Sequence, residues 1–365
     1  MVIDWVARAR AEVQRIMPYQ AGKPIEEARR ELGLERLVKL ASNENPHGPS
    51  DKVLEALQKS ALACNRYPDS NGYYLKQRLA QQLSVDPAML TLGNGSNDVL
   101  ELVASAYLDR GASAVYSEYA FVVYSLAVQR SGAEARVAPA KDYCHDLDAM
   151  LAATDASTRV VYIANPNNPT GNYVCESALR AFLQALDPGI IVVLDEAYCE
   201  YVQVGDYPDG IALQREFANL VVTRTFSKAY GLGGLRVGFA VSDRGIADVL
   251  NRVREPFNVS SLSLAAAEAA LNDHEHLAQA IATNNAGMQQ LADGLDALGL
   301  KRIPSVANFI TFEPGRDAAA VNQALLQAGV IVRPVANYNL PLHLRASVGL
   351  AEENALFLEK LALVI

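Results

Sequence analysis

The chain has 365 residues, of which 50% are hydrophobic and 20% are charged, and its formal net charge is −9. This length and composition predict a globular protein with a sizeable core, arranged as one large domain or two moderate ones. The acidic balance argues against nucleic acid or an anionic membrane as the natural partner, so any anionic ligand must be bound by individual cations and backbone amides.

The sequence predicts neither a membrane span nor a metal site. It has no run of about eighteen apolar residues, and charges between Asp4 and Arg15 interrupt the first segment, which we interpret as an amphipathic helix rather than a secretory signal. The five histidines show no ligand spacing. The cysteines have no paired spacing and are expected to be reduced thiols in a cytoplasmic protein; they are Cys64, Cys144, Cys175 and Cys199.

The first third of the chain alternates helical patterns with polar turns. An amphipathic helix with apolar positions from Trp5 to Ile16 is followed by a second helix, a short strand near residues 37–40 and a proline-bearing loop over residues 41–49. Ser50 is a candidate N-cap for the next helix, and a further helix is predicted over residues 73–83.

A glycine-rich turn, Gly93 to Asp98, joins a brief strand to a helix predicted from Val99 to Leu108. Such a turn presents unpaired backbone amides and the positive end of the helix dipole, which suits a phosphate. The turn resembles the start of a dinucleotide fingerprint, but Asp98 stands where the third glycine would be. An NAD-dependent dehydrogenase is therefore disfavoured.

From this point strands and helices alternate. The strands are short, β-branched and almost uninterrupted in apolarity, which predicts a mostly parallel sheet covered by helices on both faces. They are predicted over residues 114–116, 160–164, 190–194, 219–222 and 237–241. Polar residues follow directly at the carboxyl ends, where open α/β sheets bind their ligands.

The pattern changes after Pro256, where two long helical segments precede three short strands and a further helix. We predict a large domain over residues 45–260. Residues 1–44 and 261–365 are predicted to form a smaller α+β domain to which the N-terminal arm contributes.

Two polar segments follow neighbouring buried strands. Asn165 to Gly171 contains two Asn-Pro steps, and the amide of Asn168 can donate to an anionic oxygen. Asp195 comes directly after an apolar run, so its carboxylate is expected to be desolvated and to need a cation, such as a protonated ring nitrogen. Tyr198 could donate to a phenolic oxygen on the same ring.

The stretch from Thr223 to Gly238 carries the chemistry expected of a nucleophilic amine. Lys228 lies just past a strand among small and hydroxylated residues, with Arg236 nearby. A lysine held near apolar walls and a second cation is deprotonated more easily, and its free amine can attack an aldehyde.

These sites together describe one ligand, which carries an aldehyde, a pyridinium, a phenolic oxygen and a phosphate. That ligand is pyridoxal phosphate, which proteins bind through a lysine Schiff base and an acidic partner on the ring nitrogen. The groups proposed for its phosphate are Ser96, Asn97 and Arg236.

The sequence resembles the fold-type I pyridoxal-phosphate-dependent aminotransferases, almost end to end. The resemblance rests on specific motifs: Asn167 to Gly171, Asp195 to Tyr198 and Ser227 to Gly231. Less specific likenesses, at Pro18 and Tyr19, at 42–46 and at 344–349, make the chain similar to members that transaminate histidinol phosphate in histidine biosynthesis, with 2-oxoglutarate as the amino-group acceptor.

The resemblance implies residue roles. Lys228, Asp195 and Tyr198 would be catalytic. The cofactor would also be bound by Ser96, Asn97, Tyr119, Asn168, Thr225, Ser227 and Arg236, with Tyr119 stacking on its ring. Tyr67 would reach the phosphate in a neighbouring subunit, which implies a homodimer. The substrate would be bound by Tyr19, Asn43, Arg333 and Arg345.

Three alternatives remain at this stage besides the dehydrogenase. An aromatic amino-acid aminotransferase, or a decarboxylase of a phosphorylated amino acid, would keep the fold and change the substrate. A non-catalytic cofactor-binding regulator would need an appended DNA-binding segment, and no basic stretch of that kind is present.

Overall fold

The computed structural model describes residues 3–17, 24–34 and 37–365. Its helices are α1 (Trp5–Arg8), α2 (Ala11–Gln14), α3 (Ile25–Leu32), α4 (Asp51–Ala61), α5 (Tyr73–Leu83), α6 (Ser96–Tyr107), α7 (Val122–Ser131), α8 (Leu147–Ala152), α9 (Glu176–Ala185), α10 (Gly210–Glu216), α11 (Arg244–Val253), α12 (Ser261–Leu271), α13 (His274–Ala297), α14 (Ala318–Gln327) and α15 (Ala351–Val364). Its strands are β1 (Val38–Lys39), β2 (Leu90–Gly93), β3 (Ser113–Ser117), β4 (Glu134–Ala138), β5 (Ala140–Lys141), β6 (Cys144–His145), β7 (Thr158–Ala164), β8 (Ile191–Asp195), β9 (Leu220–Thr225), β10 (Gly238–Val241), β11 (Arg302–Ile303), β12 (Phe309–Phe312), β13 (Val330–Ile331), β14 (Arg333–Pro334) and β15 (Leu344–Ser347).

A seven-stranded sheet forms the centre of the molecule, in the order β2-β10-β9-β8-β7-β3-β4. All neighbouring strands are parallel except that β10 runs antiparallel to both β2 and β9. Alternate residues of each strand face opposite sides: Val192 packs in one apolar cluster and Val193 in the other. Because both faces are covered, the strands read as continuous apolar runs, as predicted.

A second, antiparallel sheet has the order β11-β12-β15-β14 and packs with α13, α14 and α15 around its own apolar cluster. The arm joins this unit, since β1 pairs in parallel with β13. The α/β fold with a smaller α+β unit is therefore confirmed.

The exact division between the two units stays a prediction. Helix α12, which that division assigns to the smaller unit, buries Leu264 and Leu271 in the same cluster as Val53 and Phe239 of the large unit. This packing favours a boundary after α12.

The predicted N-terminal helix differs from the structure. Two short helices, α1 and α2, replace one continuous helix, because Ala9 and Arg10 between them have extended backbones. Trp5 is 72% exposed and Val13 is 40% exposed, so the described residues leave most of this apolar face uncovered. Elsewhere the prediction of α5 over residues 73–83 is confirmed, and Ser50 caps α4 by accepting from the backbone N–H of Val53.

Among the described helices, none is long and apolar enough to cross a membrane. All four cysteines lie in the described ranges and are free thiols.

Candidate active site

The pocket lies at the carboxyl edge of the central sheet, where β7, β8 and β9 end side by side. Its volume is about 190 Å³, and the arm and the smaller sheet close its other side. It is lined by Ala41, Ser42, Asn43, Ser96, Asn97, Phe121, Ala164, Pro166, Asn168, Asp195, Ala197, Tyr198, Thr225, Ser227, Lys228, Arg236, Arg333, Tyr338 and Arg345. Parallel strands that end together thus gather groups that are far apart in the sequence.

Lys228 extends into this pocket from the loop after β9. Its Nζ donates to the backbone oxygen of Ser42 at 3.2 Å and lies 5.7 Å from the ring centroid of Tyr198. Burial and the guanidinium of Arg345 lower the pKa of Lys228 to about 8. Part of the population is therefore a free amine at neutral pH, as a nucleophile requires. The loop packs closely because Gly231 has a φ of +72° and any Cβ there would meet the backbone oxygen of Gly48 at 2.3 Å.

Asp195 ends β8 as a buried carboxylate. Tyr124 donates its hydroxyl to Oδ2 at 2.9 Å, and Thr223 donates to Oδ1 at 3.0 Å. Burial raises the pKa of Asp195, and these two hydroxyls oppose that rise. Within the described ranges no cationic side chain forms an ion pair with Asp195. A protonated ring nitrogen fits this carboxylate, because a buried anion needs a positive partner.

A cup suited to a phosphate lies at the N-terminus of α6. Gly95, with a φ of +81°, brings the backbone so close to Arg236 that a Cβ would collide with the guanidinium. Arg236 donates to Ser227 Oγ at 3.0 Å, and Thr225 Oγ1 accepts from the backbone N–H of Ser227 at 3.1 Å. The cup combines helix amides, hydroxyls and one guanidinium, which is a donor set that fits a phosphate dianion.

Two polar side chains stand beside Asp195. The Tyr198 hydroxyl accepts from Asn43 Nδ2 at 3.0 Å, and burial raises the pKa of Tyr198 to about 12. Asn168 Oδ1 accepts from Arg345 Nη1, so its amide nitrogen is the group that can donate into the pocket. Both side chains fit an anionic ring oxygen.

Two arginines close the pocket from the smaller sheet. Arg333 and Arg345 are directly paired in register across β14 and β15, and they are only 9% and 5% exposed. Arg345 also donates to the backbone oxygen of Ala41 at 2.9 Å and stacks over Phe309 at 5.1 Å. Two guanidiniums on one face of a sheet form a site for an anionic substrate group.

The structure brings most of the predicted site residues together and leaves Tyr67 and Tyr119 elsewhere. Tyr19 lies outside the described residues. Tyr67 is 84% exposed and stacks on Phe257 with ring centroids 4.8 Å apart. Tyr119 does not line the pocket but lies against Tyr143 with centroids 5.7 Å apart.

Sequence reasoning missed four groups. Phe121 lines the pocket near the position expected for Tyr119, while Tyr124 and Thr223 bind Asp195 and Ser42 binds Lys228. The signal available for Phe121 and Tyr124 was their aromatic character, immediately after a predicted strand. Nothing in the sequence distinguishes which aromatic turns inward.

The fold and the site define an enzyme of the aminotransferase kind. The sequence model for aminotransferase class I and II matches residues 35–361, so the chain belongs to this family.

The names of individual relatives specify a substrate as well as the family. A Pseudomonas aeruginosa protein named histidinol-phosphate aminotransferase 2 is 56% identical over 364 residues, covering 99% of each sequence. A Methylococcus capsulatus protein of the same name is 54% identical over 359 residues, covering 97% of each. The crystal structure of histidinol-phosphate aminotransferase from Sinorhizobium meliloti, in complex with pyridoxal-5'-phosphate, has a TM-score of 0.90 to this chain at 31% identity, covering 98% of this chain and 97% of that one.

Proposed function

We propose that this protein transfers the amino group of histidinol phosphate to 2-oxoglutarate in histidine biosynthesis, with pyridoxal phosphate as its cofactor. The observation that carries the proposal is one pocket in which Lys228, Asp195 and the Arg236 cup face the arginine pair. The names of the relatives, which match along nearly the whole chain, support the same substrate.

The residues that would hold the cofactor are those of the strand ends. Ser96, Asn97, Thr225, Ser227 and Arg236 would bind the phosphate. Asp195 would face the ring nitrogen, with Asn168 and Tyr198 at the ring oxygen. Phe121 is better placed than Tyr119 to pack on the ring, because it lines the pocket.

When bound, the cofactor supplies an aldehyde for the amino group and a ring that delocalises the electron pair left after a Cα–H bond breaks. Lys228 Nζ would accept the proton released from that substrate carbon and would deliver it to the former aldehyde carbon of the cofactor. Asp195, beside its two hydroxyl donors, would pair with the ring nitrogen and favour its protonated form. The dry surroundings strengthen that pairing.

The arginine pair would bind the anionic ends of the substrates. Arg345 suits the α-carboxylate of glutamate, and Arg333 would add a second guanidinium for the phosphate of histidinol phosphate. A phosphate dianion is bound best by more than one planar donor fork. Tyr19, outside the described residues, stays a predicted contact of the same phosphate.

We further propose a homodimer in which Tyr67 completes the pocket of the partner. Its support is aromatic and apolar surface that is exposed among the described residues, contributed by Leu62, Tyr67, Tyr73, Tyr74 and Phe257. A second copy covering that surface would bury it symmetrically. The four free thiols agree with a cytoplasmic enzyme.

Mixing two inactive variants tests the shared site. Tyr67→Ala and Lys228→Ala subunits should regain one intact site per heterodimer, and activity should reappear on mixing. Verified heterodimers without recovered activity would place Tyr67 outside the partner's site.

Half-reaction spectra test the substrate. The loaded enzyme should lose its cofactor absorption band rapidly with histidinol phosphate and with glutamate, and slowly with phenylalanine. Fast conversion by phenylalanine but not by histidinol phosphate would instead identify an aromatic amino-acid aminotransferase.

A further inference from the structure

Asn43 is buried in the pocket, and both its backbone and its side chain are hydrogen-bonded. It is 1% exposed and has a φ of +55°, a conformation that asparagine tolerates better than most residues. Its backbone oxygen accepts from Asn308 Nδ2 at 3.0 Å, and its backbone N–H donates to Ser347 Oγ at 2.7 Å. The arm is therefore hydrogen-bonded at this residue to the smaller unit.

Ser347 also determines which way the Asn43 amide points. Because Ser347 Oγ already accepts from the Asn43 backbone, its own proton goes to Asn43 Oδ1, at 3.0 Å. The amide nitrogen must then face the other way, and it lies 3.0 Å from the hydroxyl oxygen of Tyr198. An asparagine nitrogen can only donate, so the Tyr198 oxygen is the acceptor in this contact.

A tyrosine hydroxyl has one proton. Since the proton in the Asn43 contact comes from Asn43, the O–H bond of Tyr198 is left to point elsewhere, and Tyr198 lines the pocket. We propose that Asn43 is a positioning residue that aims the Tyr198 proton at the ring oxygen of the bound cofactor, rather than a residue that contacts the substrate. This inference rests on the proposed function, because it needs pyridoxal phosphate in the pocket.

Asn43→Asp is the sharpest variant, because it keeps the shape and reverses the hydrogen bond. A carboxylate accepts the Tyr198 proton, which takes the donor away from the ring oxygen. Asn43→Gly is the matched variant for the backbone, since glycine adopts a positive φ without strain and removes only the side chain.

The measurement is a pH titration of the visible absorption of the bound cofactor, without substrate. A hydrogen-bond donor at the ring oxygen favours the deprotonated, more anionic form of the bound cofactor. Asn43→Asp should therefore raise the titration midpoint by roughly one pH unit, as expected for one lost charge-assisted hydrogen bond. Asn43→Gly should raise it less, because water can replace the amide. Ser347→Ala, which releases the amide orientation, should move the midpoint in the same direction and provides a second route if Asn43→Asp folds poorly.

Tyr198→Phe decides whether the effect passes through the hydroxyl. That variant alone should raise the midpoint, and adding the uncharged change Asn43→Gly to it should change nothing further. Equal shifts in both backgrounds would overturn the inference. So would an unchanged titration combined with a raised KM for histidinol phosphate, which would return Asn43 to substrate binding. A wild-type chain that shows no absorption band with pyridoxal phosphate overturns the proposed function as well.

Discussion

The two sides of the pocket are built in different ways. One side, the strand-end half, comprises Asp195, Tyr198, Lys228 and Arg236 with their neighbours in the large unit. The other, the arm-side half, comprises Asn43, Arg333 and Arg345.

The contacts within each half show the difference. In the strand-end half, Arg236 contacts Ser227 nine residues away and Asp195 contacts Thr223 at a separation of 28. In the arm-side half, Asn43 and Ser347 are 304 residues apart. The contacts within the half proposed to carry out the chemistry thus span shorter sequence separations, whereas the arm-side half depends on the arm meeting β14 and β15.

This comparison predicts that changes in the strand-end half damage every substrate alike, whereas a change at Arg333 in the arm-side half distinguishes between substrates. Lys228→Ala should have the largest effect. Removing both the attachment point and the proton acceptor should lower transamination by roughly 10⁴-fold or more with either amino donor. Pyridoxal phosphate should still bind, because the Arg236 cup remains.

Borohydride reduction followed by peptide mapping should attach the cofactor at Lys228 in the wild type and nowhere in the variant. Lys59→Ala, which removes a solvent-exposed lysine, is the control and should behave as wild type. Labelling of another lysine in the wild type would contradict the assignment.

Asp195→Asn should have the second-largest effect on transamination. The variant keeps the shape and removes the charge that holds the ring nitrogen protonated, so we expect a loss of about 3–5 kcal/mol of transition-state stabilisation for both amino donors. Single-turnover rates with each donor measure it. Asp243→Asn changes an aspartate that follows β10 and caps α11, away from the pocket lining, and should leave these rates unchanged.

Arg333→Ala and Arg345→Ala should separate the two substrates. Arg333→Ala should raise the KM for histidinol phosphate about ten- to a hundredfold and affect glutamate less, because one charge-assisted contact is worth about 1.5–3 kcal/mol. Arg345→Ala should damage both half-reactions. The comparison to make is kcat/KM for each half-reaction in both variants; equal losses for both substrates in Arg333→Ala would remove the proposed difference between the halves.

Tyr124→Phe should have the smallest effect and should appear in the pH dependence. The hydroxyl lowers the pKa of Asp195 against the effect of burial, so its removal raises that pKa and protonates the carboxylate at a higher pH. The acidic limb of the kcat profile should move upward by up to about one pH unit. Thr223→Val tests the other carboxylate oxygen and should act in the same direction, whereas Tyr173→Phe, on an exposed hydroxyl bound to Asp206, should not.

The sequence predicts the strand-end half well, because continuous apolar runs locate the buried strands and polar residues mark their ends. It predicts less well the features that depend on tertiary packing. Strand β4 was missed since it lies at the sheet edge and is largely exposed, so it lacks an apolar run. Tyr119 was assigned to the cofactor ring by resemblance, whereas the path from β3 into α7, which places Phe121 at the pocket, depends on packing rather than on residue type.

The contacts of the arm-side half could not be predicted from the sequence either. Arg333 and Arg345 were assigned by resemblance, but their register across β14 and β15 could not be read from the chain. Nor could the contact of Asn43 with Tyr198, which depends on Ser347.

The hydrogen bonds that hold the arm also affect how the enzyme folds during its synthesis. On the ribosome the arm emerges before the central sheet, whereas its partners Arg345 and Ser347 emerge only about 300 residues after it. The central sheet can fold as a unit before then. During all of that synthesis Asn43 lacks Ser347, and so Tyr198 lacks an oriented amide. A nascent chain can therefore acquire its cofactor cup early, but it gains its complete pocket only when the last strand has been released.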